Sequence, residues 1–256
     1  MAAQHSAAMH NTSMTPMGRP LWAAWCALLA LTVLWDWSGL DVTVMQQIGG
    51  PDGFALRSHW LLEHWLHDRT RTLGTLVFVV LWVWALWPAW PTWRASSRPR
   101  WHTHRLWIAT LVTLNLLAVN LIKNNSLTSC PWDMRLWGGG AEVVSHWRWG
   151  VSDGGPGRCF PGGHASAALA FAPWVLALWW PSPGAGTPSP RTARWALGLW
   201  LLAVFVTGGT QTLRGAHYPS HTAWTAIVCC GLTLLGWSLW HRRQQRRLVN
   251  GFTSAL

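Results

Sequence analysis

The sequence predicts an all-α, polytopic membrane protein with about six transmembrane helices. Three observations carry that fold class. Of 256 residues, 50% are hydrophobic and only 11% are charged, where a soluble domain carries roughly a quarter charged residues. Six apolar runs recur, at Leu21–Trp37, Leu73–Trp87, Leu106–Ile122, Ala165–Trp180, Trp195–Thr210 and Ala223–Trp240. Each is near the ~20 residues that a helix needs to cross the hydrocarbon core. The chain also holds 25 tryptophans, a residue that collects at bilayer interfaces.

The elements follow in order. Residues 1–20 are polar, rich in small residues and Met, and read as a disordered cytoplasmic N-terminus. No A-x-A signal follows the first run, so that run reads as an anchor rather than a removed signal peptide. Residues 21–240 hold the six runs and form the membrane domain. Between the first two runs, Trp60, Leu61, Leu62, Trp65 and Leu66 recur at helical spacing within Ser58 to Arg69. That pattern predicts an interfacial helix lying on the outer surface. Pro181 to Pro190 is a Pro/Gly/Ser loop, and 241–256 is a basic cytoplasmic tail. There is no internal repeat, P-loop or CxxC pair.

The formal net charge of +11 would suit nucleic acid, but its distribution excludes that partner. Arg19, Arg94, Arg98, Arg100, Arg105, Arg191, Arg194, Arg242, Arg243, Arg246 and Arg247 share one face, with no acidic residue among them. All eight acidic residues fall on the other face, against eight basic ones. The positive-inside rule then puts both termini in the cytoplasm.

Three polar groups converge on the non-cytoplasmic boundary. Lys123 ends the third run, Phe160-Pro161-Gly162-Gly163-His164 precedes the fourth, and Arg214 to His221 lies between the fifth and sixth. Ionisable residues at such a depth point to function. The physics suits an anion such as phosphate. The fourth and sixth helices both start here, so free N–H groups and helix dipoles face one layer. Gly162 and Gly163 admit a close backbone approach. Lys123, the chain's one lysine, and Arg214 add positive charge. His164 and His217 are candidates for proton donor and nucleophile.

At these residues the chain resembles the type 2 phosphatidic acid phosphatase superfamily, which includes the lipid phosphate phosphatases. That family's pattern is K-x6-R-P, then P-S-G-H, then S-R-x5-H-x3-D. Lys123 with Pro131, Pro161-Gly162-Gly163-His164, and His217-Tyr218-Pro219-Ser220-His221 fit in order, and the resemblance covers roughly Leu73 to Trp240. It implies a membrane phosphohydrolase that removes a phosphate from a lipid-linked phosphomonoester or diphosphate. His217 would attack phosphorus and form a phosphohistidine, His164 would protonate the leaving oxygen, and Lys123 with the Gly162-Gly163 backbone would hold the phosphoryl oxygens. No metal or other cofactor is implied. The implied location is an integral membrane protein, in a bacterium the inner membrane with a periplasmic-side site.

The chain departs from the pattern at four places: Cys130 replaces the first arginine, Gly162 the serine, Thr210-Gln211 the Ser-Arg pair, and His221 the aspartate. Arg214, about one helical turn beyond Gln211, is expected to supply the missing guanidinium, and Arg135 or Arg158 the charge lost at Cys130. Asp133, Asp153 or Glu142 could fold back to replace the carboxylate lost at His221, which stands third in the catalytic set. Of five cysteines, Cys130 and Cys159 alone share the outer loop. A disulfide between them is expected in an oxidising compartment, tethering the Lys123 segment to the Gly162-Gly163-His164 loop.

Two other functions compete. His217 and His221, an i, i+4 pair, could bind a metal with His164, or a degenerate site could bind a lipid phosphate without hydrolysing it. A transporter fits less well, because the polar groups sit at one face rather than at the midplane.

Overall fold

The structure, a computed structural model, describes residues 18–87, 98–182 and 188–253. The disordered segment expected over residues 1–20 therefore lies almost wholly outside the described residues, as do Arg94 and half of the Pro181 to Pro190 loop.

Eight helical stretches follow one another: α1 (Gly18–Ser38), α2 (Leu40–Ile48), α3 (Leu61–Leu86), α4 (Arg98–Asn125), α5 (Ser166–Leu169), α6 (Ala172–Trp179), α7 (Pro190–Leu213) and α8 (Pro219–Thr253). Among the described residues, α1, α3, α4, α7 and α8 are long and apolar enough to cross a membrane, and Ser166–Trp179 is a shorter apolar helical stretch where the sequence predicts a sixth crossing. A two-residue hairpin, β1 (Gly49–Gly50) with β2 (Gly53–Phe54), follows α2. The basic residues expected as a cytoplasmic tail from position 241 lie on the helical continuation of α8.

This shorter stretch is broken for a legible reason. Pro173 stands in the first turn of α6 and has no N–H to bond a carbonyl one turn back. The carbonyls freed at the break find side-chain donors. Asn115 Nδ2 donates to Ala170 O at 3.1 Å, and Trp200 Nε1 to Ala168 O at 2.9 Å. An apolar core knits Leu81, Ile108, Leu111, Val112, Leu176, Leu234 and Trp237 around this break. A second cluster, Met45, Phe54, Met134, Trp137, Ala141 and Tyr218, caps the opposite end. It joins α2 and the hairpin to the loop between α4 and α5.

The expected interfacial helix is not a separate element. Leu61–Arg69 is a π-helical stretch that runs without a break into Thr70–Leu86. No Gly or Pro separates the Trp/Leu pattern from the second apolar run before Gly74, so the helix continues. The π turns rotate Glu63 and His67 toward partners far along the chain, which a surface periodicity could not reveal. Such turns recur at functional sites.

Candidate functional site

The α7–α8 junction is shaped first by its backbone. Gly215 ends α7 in the left-handed region, with φ of 76°. A Cβ there would sit 2.2 Å from the Phe54 ring, so only glycine fits. Pro219 then opens α8. His217 lies between, its backbone N–H donating to Gln211 O at 3.3 Å.

His217 is 7% exposed. Its Nδ1 lies 3.3 Å from Cys159 Sγ and 3.5 Å from His221 Nδ1. Cys159 is bonded to Cys130, with Cα atoms 5.1 Å apart, so the expected disulfide is present and its sulfur packs against the His217 ring. Burial pushes the His217 imidazole well below its ordinary pKa, and the nearby Lys123, His164 and His67 push it further the same way. The ring is therefore neutral at pH 7.

The disulfide loop is held by paired backbone. Arg158 N donates to Ser126 O and Cys159 N to Thr128 O, each at 2.8 Å. Asp153 is buried and accepts from Ser129 N at 2.6 Å and Ser129 Oγ at 2.7 Å. Arg158 adopts φ of 58°, a conformation that disfavours a side chain. Its carbonyl accepts from Lys123 Nζ at 2.5 Å. Lys123 in turn lies over Gly163, where a Cβ would meet its Cδ at 3.0 Å. A glycine at 163 is what lets the ammonium stem pass beside the His164 loop.

His164 stacks on His67, ring centroids 3.8 Å apart and 13° from parallel. Its Nε2 lies 3.2 Å from His67 O. His67 Nδ1 meets Asp68 Oδ1 at 2.8 Å. Burial, then the His67 charge, with Arg71 and Arg214 adding to it, hold the His164 pKa down at about 4. Among the described residues the N–H groups of Gly163, His164 and Ala165 meet no acceptor. These free donors and the Lys123 ammonium, beside neutral imidazoles, make a recess suited to an anion such as a phosphoryl group.

Lys123, Gly163, His164, His217 and His221 thus gather as the sequence suggests, and several companions differ. The Gly162 N–H is spent on His221 O at 3.0 Å, so that residue anchors the loop to α8 instead of offering its donor. Arg214 is buried, donating from Nε to Arg57 O at 2.8 Å and from Nη2 to Glu63 Oε1 at 3.1 Å. It enters as a neutralised pair. Arg135 forms an exposed pair with Glu142 at 2.8 Å, and Arg158 contributes its carbonyl while its side chain is exposed. Neither guanidinium contacts the recess among the described residues.

No carboxylate from the outer loop folds back onto the histidines. Asp153 is consumed by Ser129, Glu142 by Arg135, and burial raises Asp133 while the Cys130 backbone bonds it. An acid from α1 reaches a further histidine of this loop: Asp36 Oδ2 lies 3.1 Å from His146 Nε2 and accepts from Trp224 Nε1 at 2.6 Å. Asp36, His146, Glu63 and His67 escaped the sequence reading because each stands outside the motifs. The acidic Asp36 inside an apolar run was the one available signal.

The metal alternative lacks its ligand set. Among the described residues, the one His/Cys/Asp/Glu group gathered within ligand distance is Cys130, Cys159 and His217. Its two sulfurs are bonded to each other and offer no thiolate. His164 and His221 are not in that group.

A family model described as PAP2 superfamily matches residues 104–245, more than half of the chain. Searches of curated proteins and of solved structures found no match.

Proposed function

The chain belongs to the PAP2 superfamily, and from that premise we propose that it is a phosphohydrolase working through a phosphohistidine at His217. The family and the apolar helices make it an integral membrane protein of a phosphatase fold. The observation that carries the finer reading is the convergence of Lys123, His164 and His217, from three segments, around free backbone donors. His217 keeps its Nδ1 against Cys159 and His221, which leaves Nε2 as the attacking atom. A neutral ring is the competent nucleophile.

In the first step the Nε2 lone pair attacks phosphorus. The P–O bond to the lipid oxygen breaks, and that oxygen takes a proton from His164. Water then attacks phosphorus, passing a proton to His164 and so restoring it, the P–N bond breaks with its electrons returning to Nε2, and phosphate leaves. His164 is neutral in the free protein. A bound phosphate dianion beside it favours the imidazolium and so loads the proton when it is needed. Lys123 and the Gly163 N–H hold the phosphoryl oxygens.

The substrate is a phosphate at the bilayer edge: phosphatidic acid, phosphatidylglycerol phosphate, a polyprenyl diphosphate or a lipid A phosphate. The site faces away from the cytoplasm. The arginine asymmetry supports that side, and so does the disulfide, which persists in oxidising compartments. The test is phosphate release from this lipid panel by the purified protein, with capture of the acid-labile intermediate. Label on the peptide holding His217 is expected. Turnover with label on another residue, or no release from any substrate, overturns the assignment.

A further inference from the structure

The position that holds an aspartate in the family pattern is His221 here, so the carboxylate partner of the nucleophile is missing from its usual place. His221 is 1% exposed, and its Nδ1 faces His217 Nδ1. Beyond it lies His146, edge to face, with ring centroids 6.1 Å apart and 85° between planes. His146 stacks flat on Phe160 at 4.1 Å, which fixes its plane. Its Nε2 lies 3.1 Å from Asp36 Oδ2, at ion-pair distance though not in hydrogen-bond geometry, and the Asp36 side chain is 4% exposed. The His221 and His146 rings thus touch one another, one facing the nucleophile and one facing a buried acid from another helix, in ring contact rather than in a continuous hydrogen-bond chain.

We propose that Asp36, presented through His146 and His221, is the displaced anionic partner of His217, making Asp36 and His146 positioning residues for phosphoryl transfer. The inference rests on the phosphohistidine reading above. As Nε2 forms its bond to phosphorus, positive charge grows on the His217 ring and its Nδ1–H donates more strongly to His221 Nδ1. His221 serves as acceptor while its other nitrogen keeps a proton. Asp36 stabilises this charge through space, beside the apolar rings of Phe160 and the buried Trp224. No proton needs to leave these rings, so atoms and charge balance at each step.

A purely structural role for Asp36 is the competing account, because it and Asp41 both sit at the start of α8. Asp41 accepts from Ser220 N at 3.1 Å, and Asp36 from Trp224. A coupling experiment separates the two. Asp36→Asn and His146→Phe should each lower kcat about 30-fold with KM within about threefold, and Asp36→Glu should restore most of the loss; neutralising a directly bonded Asp in a serine protease costs ~10⁴. In a His221→Asp background, which puts a carboxylate directly on His217, Asp36→Asn should cost less than about threefold. Asp41→Asn should cost the same in both backgrounds. Equal losses from Asp36→Asn with and without His221→Asp overturn the relay while the phosphatase reading stands. Should His221→Asp not insert, equal effects of Asp36→Asn, Asp36→Glu and Asp41→Asn in the wild-type background overturn it instead. Orthovanadate affinity, followed through tryptophan fluorescence, is a readout apart from turnover and should weaken with Asp36→Asn. A wild-type protein that neither releases phosphate nor binds vanadate overturns both readings.

Discussion

The two histidines proposed to share one reaction sit in opposite surroundings. His217 is sealed. A disulfide sulfur, a second histidine and the α7–α8 turn surround it, and 7% of it is exposed. His164 instead leans on a π-helical stretch whose outer residues are wet: the Asp68 side chain bonded to His67 is 55% exposed. A nucleophile needs one fixed tautomer and one line of attack, which burial and covalent support supply. A proton donor must be reloaded from water every cycle and gains from a solvent-facing neighbour. The two halves of the recess are built for those separate needs.

The largest expected effect breaks the comparison at its centre. His217→Ala should remove turnover toward background for every substrate, about 10⁴-fold or more, because no covalent intermediate can form. His164→Ala should cost about 10²–10⁴-fold with a lipid alkoxide leaving group. It should cost far less with an aryl phosphate, whose leaving oxygen needs no proton. Steady-state rates on both substrate types decide the matter. Equal losses for His164→Ala on the two would mean that it does not serve as the acid.

The sealed half depends on the disulfide. Cys130 and Cys159 are 29 residues apart, and the chain-entropy estimate for such a loop is about 3–4 kcal/mol. Cys130→Ser should lower the thermal midpoint in detergent and also reduce kcat, since the sulfur packs on the His217 ring. Reductant should reproduce the loss in the wild type and leave the variant unmoved. Unchanged kcat in Cys130→Ser would show that the bridge supports the loop alone.

How much of this was legible in sequence follows the same division. The apolar runs have a length that bilayer thickness fixes, so α1 and α7 were readable within about five residues, whereas α4 begins 8 residues before its apolar run and α8 continues 13 residues beyond its own as polar helix. Lys123, His164, His217 and the disulfide were readable because motif order and compartment chemistry identify them. The relay was not. Asp36 lies 181 residues before His217 in the chain, and His146 stands in a loop without periodicity, so nothing local ties either to the site. Arg214 was legible only in part. Its charge was visible, while the Glu63 that pairs with it lay in a stretch whose pattern suggested a surface helix.

Acid should weaken both halves together. The His164 pKa is about 4 in the folded protein against an ordinary 6.5, and His217 is shifted in the same direction. Between roughly pH 6.5 and 4 the unfolded chain binds protons that the folded chain does not, so stability falls as pH is lowered through that window. Above it the contribution is fully present. The thermal midpoint should therefore drop from pH 7 to pH 5, and His164→Gln should flatten part of the slope. A midpoint independent of pH over this range contradicts the buried, neutral state of the rings.

The smallest effect belongs to an arginine that motif spacing nominated. Arg135 stands close to Cys130, where the family pattern has its own arginine, and could have replaced that charge. Its guanidinium instead meets Glu142 at 2.8 Å, with the two side chains 71% and 60% exposed. Exposed pairs of this kind contribute about 0–1 kcal/mol and are screened by salt. Arg135→Ala should therefore leave kcat and KM within about twofold and hardly move the thermal midpoint. Lys123→Ala at the same site should cost most of the activity, because that ammonium lies over Gly163 and bonds the Arg158 carbonyl. Rates for the two variants on one lipid phosphate make the comparison. A tenfold rise in KM for Arg135→Ala would show that substrate draws this arginine from Glu142, and the recess would then extend across the outer loop.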